Sequence, residues 1–364
     1  MLLPLLLAAS LSSPAWAGGA RPITPAYDGN CQAPAWSRNG ARLAYEVNYH
    51  QRKVIELYVY TPGAGDPRKV SPVQRGTAGA RGSAVTAGFA AASTESVAHE
   101  PAWGPTFLDR FAYSATHASR DQDLYIDRAS AVAPAPGADG GAAWSPDGRW
   151  IAFTSARTGQ GDLYLVDAHQ IDQAPRRLTT DADASELYAA WAPNDPRLAW
   201  VGHSDAGDSL WLLDELTGGS PRKLTTWGHT QTRPSWSPDG RHLAFYSNHL
   251  DPKRFDLYVV DPDAPSAPRQ IAQGVVMGHR GPAWLPDSSG LVYVQDDDDA
   301  YDPIWRAPLA TPDSRSRIDT GTVGNGDLDV VRGTDGATWL AVAAQGRVED
   351  TVRDYKRIYV MQIP

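Results

Sequence analysis

The sequence predicts an all-β chain folded as a single β-propeller of four-stranded blades. Three observations carry this: a Trp-containing turn motif that recurs along the chain, an aliphatic–aromatic pair that follows it at near-constant distance, and an abundance of turn formers, with 33 Gly and 29 Pro in 364 residues. A supersecondary unit repeated every 40 to 50 residues or so is the mark of blades stacked around an axis.

The turn is clearest at Ala143-Trp144-Ser145-Pro146-Asp147-Gly148-Arg149 and Ser235-Trp236-Ser237-Pro238-Asp239-Gly240-Arg241, with a looser copy at Ala283-Trp284-Leu285-Pro286-Asp287. Weaker copies begin at Trp36, Trp103 and Trp191, and a further copy keeps only Gly333-Thr334-Asp335-Gly336. Pro presets φ at the second turn position, Asp suits the third, and Gly takes the left-handed one. Each turn therefore closes a hairpin, with Trp ending the incoming strand. Apolar strands follow, among them Leu43-Ala44-Tyr45, Ile151-Ala152-Phe153 and Leu243-Ala244-Phe245. Apolar residues at consecutive positions suit a strand covered on both faces.

The aliphatic–aromatic pair occurs at Leu57-Tyr58, Leu124-Tyr125, Leu163-Tyr164, Leu210-Trp211, Leu257-Tyr258, Ile304-Trp305 and Ile358-Tyr359. Four repeats then end in Pro-Arg, at Pro67-Arg68, Pro175-Arg176, Pro221-Arg222 and Pro268-Arg269. The unit thus holds four strands, A to D, and seven units are expected, starting near 34, 101, 142, 189, 234, 282 and 329; six is the alternative, because the second and seventh are degenerate. The last unit ends after its third strand, so a strand from Arg21–Asn30 is expected to close the ring and remove the open sheet edges. Residues 18–364 form the propeller, with a mobile insertion at 71–97 that is rich in Gly, Ala, Ser and Thr.

Taken together, the motif, the apolar strand and the Leu-Tyr strand resemble the repeats of the TolB family over residues 31 to 364. The resemblance implies the propeller alone, since too few residues precede the first repeat for the α/β domain that TolB carries there. It also implies a place in the cell envelope and a protein partner.

Residues 1–17 read as a signal peptide: an apolar run Leu2–Leu11 and a small-x-small site at Ala15-Trp16-Ala17, without a preceding Lys or Arg. A periplasmic or secreted location follows, with no membrane span, since no run is long enough. Cys31 is the single cysteine, excluding an internal disulfide, and is expected to be a small buried residue. A net charge of −9 argues against a nucleic-acid partner. A monomer is expected.

Function is expected on the face where D–A and B–C loops open. His99, His229 and His279 precede an A strand, and His50, His117, His203 and His249 follow a B strand; His169 and His242 fall on the opposite face. Residues just before strand A should ring the channel: Gln32, His99, Glu100, Asp139, Glu186, Tyr188, Arg233, His279, Arg280 and Asp327. The candidate binding set is His99, Glu100, Glu186, Tyr188, His229, Arg233, His279, Arg280 and Asp327, with no catalytic residue and no cofactor, a divalent metal remaining open. The acidic run Asp296–Asp299 with Asp302 lacks the alternation and Gly of a compact calcium loop and reads as a solvated loop. Gly202-His203-Ser204-Asp205-Ala206 lacks the strand-to-helix setting and final Gly of a nucleophile elbow. Prolyl-oligopeptidase-type peptidases place similar propeller repeats before a catalytic domain, and no such domain is expected after the seventh repeat. The leading expectation is a non-catalytic module binding a protein or peptide of the envelope. The alternative is a metal-dependent glycan-active enzyme resembling oligogalacturonate lyases.

Overall fold

The computed structural model describes residues 19–70, 98–108, 110–116, 121–127, 131–181, 183–264, 267–297, 301–346 and 355–364; the expected signal peptide at 1–17 and the segment 71–97 lie outside the described residues, as does His117. It forms seven antiparallel sheets, one per blade. Blade 1 comprises Asn30–Trp36, Leu43–Tyr49, Val54–Tyr60 and Arg68–Lys69. Blade 2 comprises Ala98–Trp103, Phe111–Thr116 and Gln122–Ile126, with its fourth element reduced to one bridge between Tyr125 and Ala131. Blades 3, 4, 5 and 6 start with Asp139–Trp144, Ser185–Trp191, Gln231–Trp236 and Ala283–Trp284. Blade 7 holds Leu328–Arg332, Thr338–Gly346 and Arg357–Ile363, and its outer strand is Arg21–Pro22, with Arg21 opposite Val360 and Pro22 opposite Tyr359. The N-terminal strand therefore closes a seven-bladed ring. It is shorter than expected, because Asn30 already begins blade 1.

Each recurring sequence mark has its own mechanical role. In the turn, Gly148 N–H bonds Ser145 O (3.0 Å) with Gly148 at φ 68°, and Ser145 Oγ donates to Asp147 Oδ1 (2.5 Å) while accepting from Trp150 N–H (2.9 Å). Ser237, Asp239 and His242 repeat the arrangement, as do Ser37, Asn39 and Arg42. In four of the six blades that carry it, the Trp that precedes the turn ties blades together. The indole N–H of Trp103 donates to Ala35 O of blade 1 (2.8 Å), Trp191 to Ala143 O, Trp236 to Ala190 O and Trp284 to Ser235 O (each 3.0 Å). The Pro-Arg arginines do the same at the rim: Arg176 reaches Leu216 O, Arg222 reaches Pro262 O, and Arg269 reaches Leu309 O, each on the next blade. The aliphatic–aromatic pair places its ring directly across from a ring of strand B, as in Tyr45–Tyr58, Tyr113–Tyr125, Trp200–Trp211 and Phe245–Tyr258, with centroids 5.6 to 6.4 Å apart.

The core lies between blades. Leu43, Tyr45 and Val47 pack against Ala341, Ile358 and Val360 of blade 7, while Ala44, Leu57 and Val59 pack against Phe111 and Tyr113 of blade 2. Strands B and C are thus buried on both faces, which is why their sequences run apolar without alternation. Cys31 is buried in the cluster that joins blades 7 and 1.

Candidate functional site

The innermost strands surround a central channel with a cavity of about 720 Å³. A bulge repeated in successive blades shapes its mouth. The pairing of strands A and B skips between Gln32 and Ala35, His99 and Ala102, Gly140 and Ala143, Leu187 and Ala190, and Thr232 and Ser235. At each skip the residue three before the Trp turns left-handed: Ala33 (φ 48°), Glu100 (58°), Gly141 (62°), Tyr188 (57°) and Arg233 (55°). Left-handed backbone is costly for residues other than Gly, so a bulge that recurs here is a designed device for aiming a side chain. These bulge residues line the channel.

The bulges also turn backbone N–H groups toward carboxylates. Ala33 N–H donates to Asp327 Oδ2 (2.9 Å), Glu100 N–H to Glu46 Oε1 (2.8 Å), and Gly141 N–H to Glu100 Oε2 (2.7 Å). Gln32 Nε2 holds the other oxygen of Glu46 (2.9 Å). Asp327 further accepts from His279 N–H (2.5 Å), and His279 Nδ1 lies 2.8 Å from Asp327 Oδ2. The hydrogen bond to Asp327 raises the imidazole pKa of His279 against the opposing effect of burial. Burial pushes the Asp327 carboxyl upward, but the bonds with His279 and Ala33 outweigh it and hold it below the usual range.

Arg280 of blade 6 spans the channel, its Nη1 donating to Pro101 O of blade 2 (2.6 Å). Half-buried Asp329 accepts from Trp36 N–H (2.7 Å); desolvation raises its pKa, and Arg280 opposes that rise. Arg233 lies over the Tyr188 ring, 4.9 Å from its centroid, and its buried Nε has no hydrogen-bond partner. The mouth is therefore polarised: Glu46 and Glu100 stand on blades 1 and 2, and Arg233, His279 and Arg280 stand across the ring on blades 5 and 6. Below them the wall is apolar and aromatic, with Trp36, Trp103, Trp144, Trp191, Trp236 and Trp284 around it and Arg38 at the far opening.

Of the residues expected at the mouth, Glu100, Tyr188, Arg233, His279 and Arg280 line the channel, and Asp327 supports His279 from behind. His99 pairs with Ser114 through its backbone, and its side chain lies outside the described residues. Glu186 is buried in the crossing between blades 3 and 4, where Thr179 Oγ1 donates to its Oε2 (3.0 Å). Burial, reinforced by the charges of Asp162 and Asp181, pushes its pKa up to about 7 despite the Thr179 bond. Gln231 occupies the same place one blade on, bonded by Thr225. His229 is exposed, away from the channel wall, with its carbonyl accepting from Asp208 N–H (3.2 Å). The other described histidines of this face are held within their own blades: His203 Nδ1 lies 2.6 Å from Asp208 Oδ1, His50 Nε2 lies 3.2 Å from Asn30 Nδ2, and His249 stacks on Trp227 at 4.0 Å. Among the described residues no group of three His, Cys, Asp or Glu side chains is placed to hold a metal ion. Glu46 and Asp329 were not expected. Glu46 carried one signal, a lone charge inside the apolar run Leu43–Val47.

No known family profile matches the chain. Part of it is similar to the uncharacterized protein Atu1656 of Agrobacterium fabrum, 31% identical over 119 residues, which is 30% of this chain and 40% of that one. Another match is the uncharacterized peptidase YuxL of Bacillus subtilis, 29% identical over 130 residues, 32% of this chain and 19% of the relative. The similarity thus spans less than half the length of either relative. Among solved structures the fold is similar to an oligogalacturonate lyase from Vibrio parahaemolyticus (TM-score 0.59, 12% identity, 94% of this chain and 93% of that one). It is also similar to a puromycin-hydrolyzing peptidase of Mycobacterium tuberculosis (0.59, 13%, 92% and 53%) and to TolB from Acinetobacter baumannii (0.52, 16%, 76% and 63%). At these identities the likeness is one of fold. No helix among the described residues is long and apolar enough to cross a membrane.

Proposed function

We propose that this propeller is a non-catalytic binding module of the cell envelope that receives a segment of a protein or peptide at the channel mouth. The observation that carries the reading is the convergence of Glu100, Tyr188, Arg233, His279 and Arg280 on the wall of one channel, the first three on bulges that aim them there. Opposed charges above an aromatic wall suit a polypeptide, which offers charged groups and apolar side chains together. Most of the mouth's charged groups already bond one another or backbone N–H groups, an arrangement that fixes shape rather than readies a proton transfer. Residues 1–17 support export to the periplasm or beyond, and the fold shared with TolB supports a partner in the envelope.

A second reading, a metal-dependent glycan-active enzyme, is favoured by the near-complete overlap with the oligogalacturonate lyase fold. Its metal has no evident seat among the described residues: no three His, Cys, Asp or Glu side chains come together, and His279 and His203, whose Nδ1 atoms face aspartates and whose Nε2 atoms a metal would take, stand in separate blades.

The test is partner capture from periplasmic extract with wild-type protein and with Arg233→Gln, each first shown to unfold at the same temperature, alongside incubation with oligogalacturonate. One polypeptide retained by the wild type and depleted at least tenfold by the variant supports the module. Equal retention by both proteins, or cleavage of the glycan, counts against it.

A further inference from the structure

At the rim, between blades 5 and 6, a second cavity of about 760 Å³ opens along the outer strand of blade 5, Arg269–Val275. That strand is seven residues long, where the outer strands of blades 1, 3 and 4 have two. Its one named strand partner is Phe255–Val260; toward its end Gln295 Nε2 takes Gln273 O and Gly274 O, and Asp296 N–H also bonds Gly274 O, so the outer edge is a template for further pairing over residues 269–272.

The charge of this groove runs against that of the chain. The protein carries −9 overall, yet the groove is lined by Arg254, Arg269 and Arg315 against a single aspartate, Asp313. Among the described residues none of the three arginines is ion-paired with a carboxylate. Two are nevertheless held in place. Arg315 lies over Trp305 at 4.6 Å and donates to Tyr293 OH and Gln295 Oε1, both at 3.0 Å, while Arg269 donates to Leu309 O. Arg254 rests against Gly274, where a Cβ would fall 2.3 Å from its Nη2, so the missing side chain at Gly274 is what makes room for the guanidinium. Positioned guanidinium groups without a carboxylate partner are poised to take one, through charge-assisted hydrogen bonds.

We propose that this groove binds an acidic segment of a partner protein as an added strand along residues 269–272. Main-chain pairing supplies the register, and alternate side chains of the segment present carboxylates to the arginines. The site is separate from the channel mouth.

The test is fluorescence anisotropy with a labelled, end-blocked peptide of alternating glutamate and valine, against its lysine–valine counterpart. The acidic peptide is expected to bind at least tenfold more tightly, with affinity falling as salt rises. Arg254→Gln is expected to weaken it about tenfold, roughly one charge-assisted contact. Asp313→Asn, which removes the one like charge, is expected to strengthen it, a gain that misfolding cannot mimic. Arg233→Gln in the channel is expected to leave it unchanged. Equal affinity for the two peptides, no binding at millimolar peptide, or indifference to both groove variants overturns the proposal. So does a sulfated oligosaccharide that binds where the acidic peptide does not.

Discussion

Replacing Trp236 by Phe isolates the contribution of one inter-blade tie. The indole N–H of Trp236 donates to Ala190 O at 3.0 Å, whereas the buried indole N–H of Trp144, at the same place in blade 3, has no partner. Both rings are buried, at 8% and 2% exposure, so Trp→Phe removes comparable apolar surface at each site. At Trp236 it also removes the hydrogen bond and leaves Ala190 O unsatisfied. At Trp144 it removes an orphaned donor. A net hydrogen bond is worth about 1 kcal/mol, and an orphaned buried polar group costs about 1–3 kcal/mol. Trp236→Phe is therefore expected to lose about 2 kcal/mol more stability than Trp144→Phe, read as a shift in urea midpoint at constant slope. Equal losses would refute the view that the repeated Trp serves as an inter-blade tie, and would leave it a matter of ring packing alone.

Glu186→Gln should stabilise the protein at pH 8, by roughly 1–3 kcal/mol, because it installs in blade 4 the residue that blade 5 uses at Gln231. The sign follows from the raised pKa of Glu186: the native state holds its proton up to about 7, the unfolded state releases it earlier, and stability falls as pH rises through that window. A variant whose pH–stability curve overlays the wild type contradicts this. The His279–Asp327 pair works in the opposite residue class with the same direction: a raised imidazole pKa gives stability that is present below the unfolded value and lost as pH rises through the folded one. His279→Gln should remove that loss, and thermal melts from pH 5 to 9 check it. Gly207→Ala should destabilise strongly, since φ is 106° and the added Cβ would meet Gly228 O at 2.0 Å; a melting temperature within error of the wild type would count against the tight B–C turn of blade 4.

Much of the fold is legible because its marks are local and repeated. Ser145-Pro146-Asp147-Gly148 encodes its own turn, and Leu57-Tyr58 or Leu257-Tyr258 encodes a cross-strand ring pair wherever strand B carries an aromatic. The site is less legible because it depends on an offset. Glu186 lies five residues before its Trp and Tyr188 three before the same Trp; only the bulge, a property of how strands A and B register, decides that Tyr188 faces the channel and Glu186 the crossing behind it. His279 and Asp327 were both named, but their pairing joins blades 6 and 7 across 48 residues, and nothing local announces it. Glu46 sits mid-strand, where a period-based reading expects apolar residues.

The most direct measurement of the binding account is photo-crosslinking from position 188 in the channel wall, with exposed His169 on the opposite face as the control site. A photoreactive residue at 188 is predicted to capture a single polypeptide from periplasmic extract, with nothing comparable from 169. Capture of no polypeptide at 188, or the same products from both sites, would contradict it.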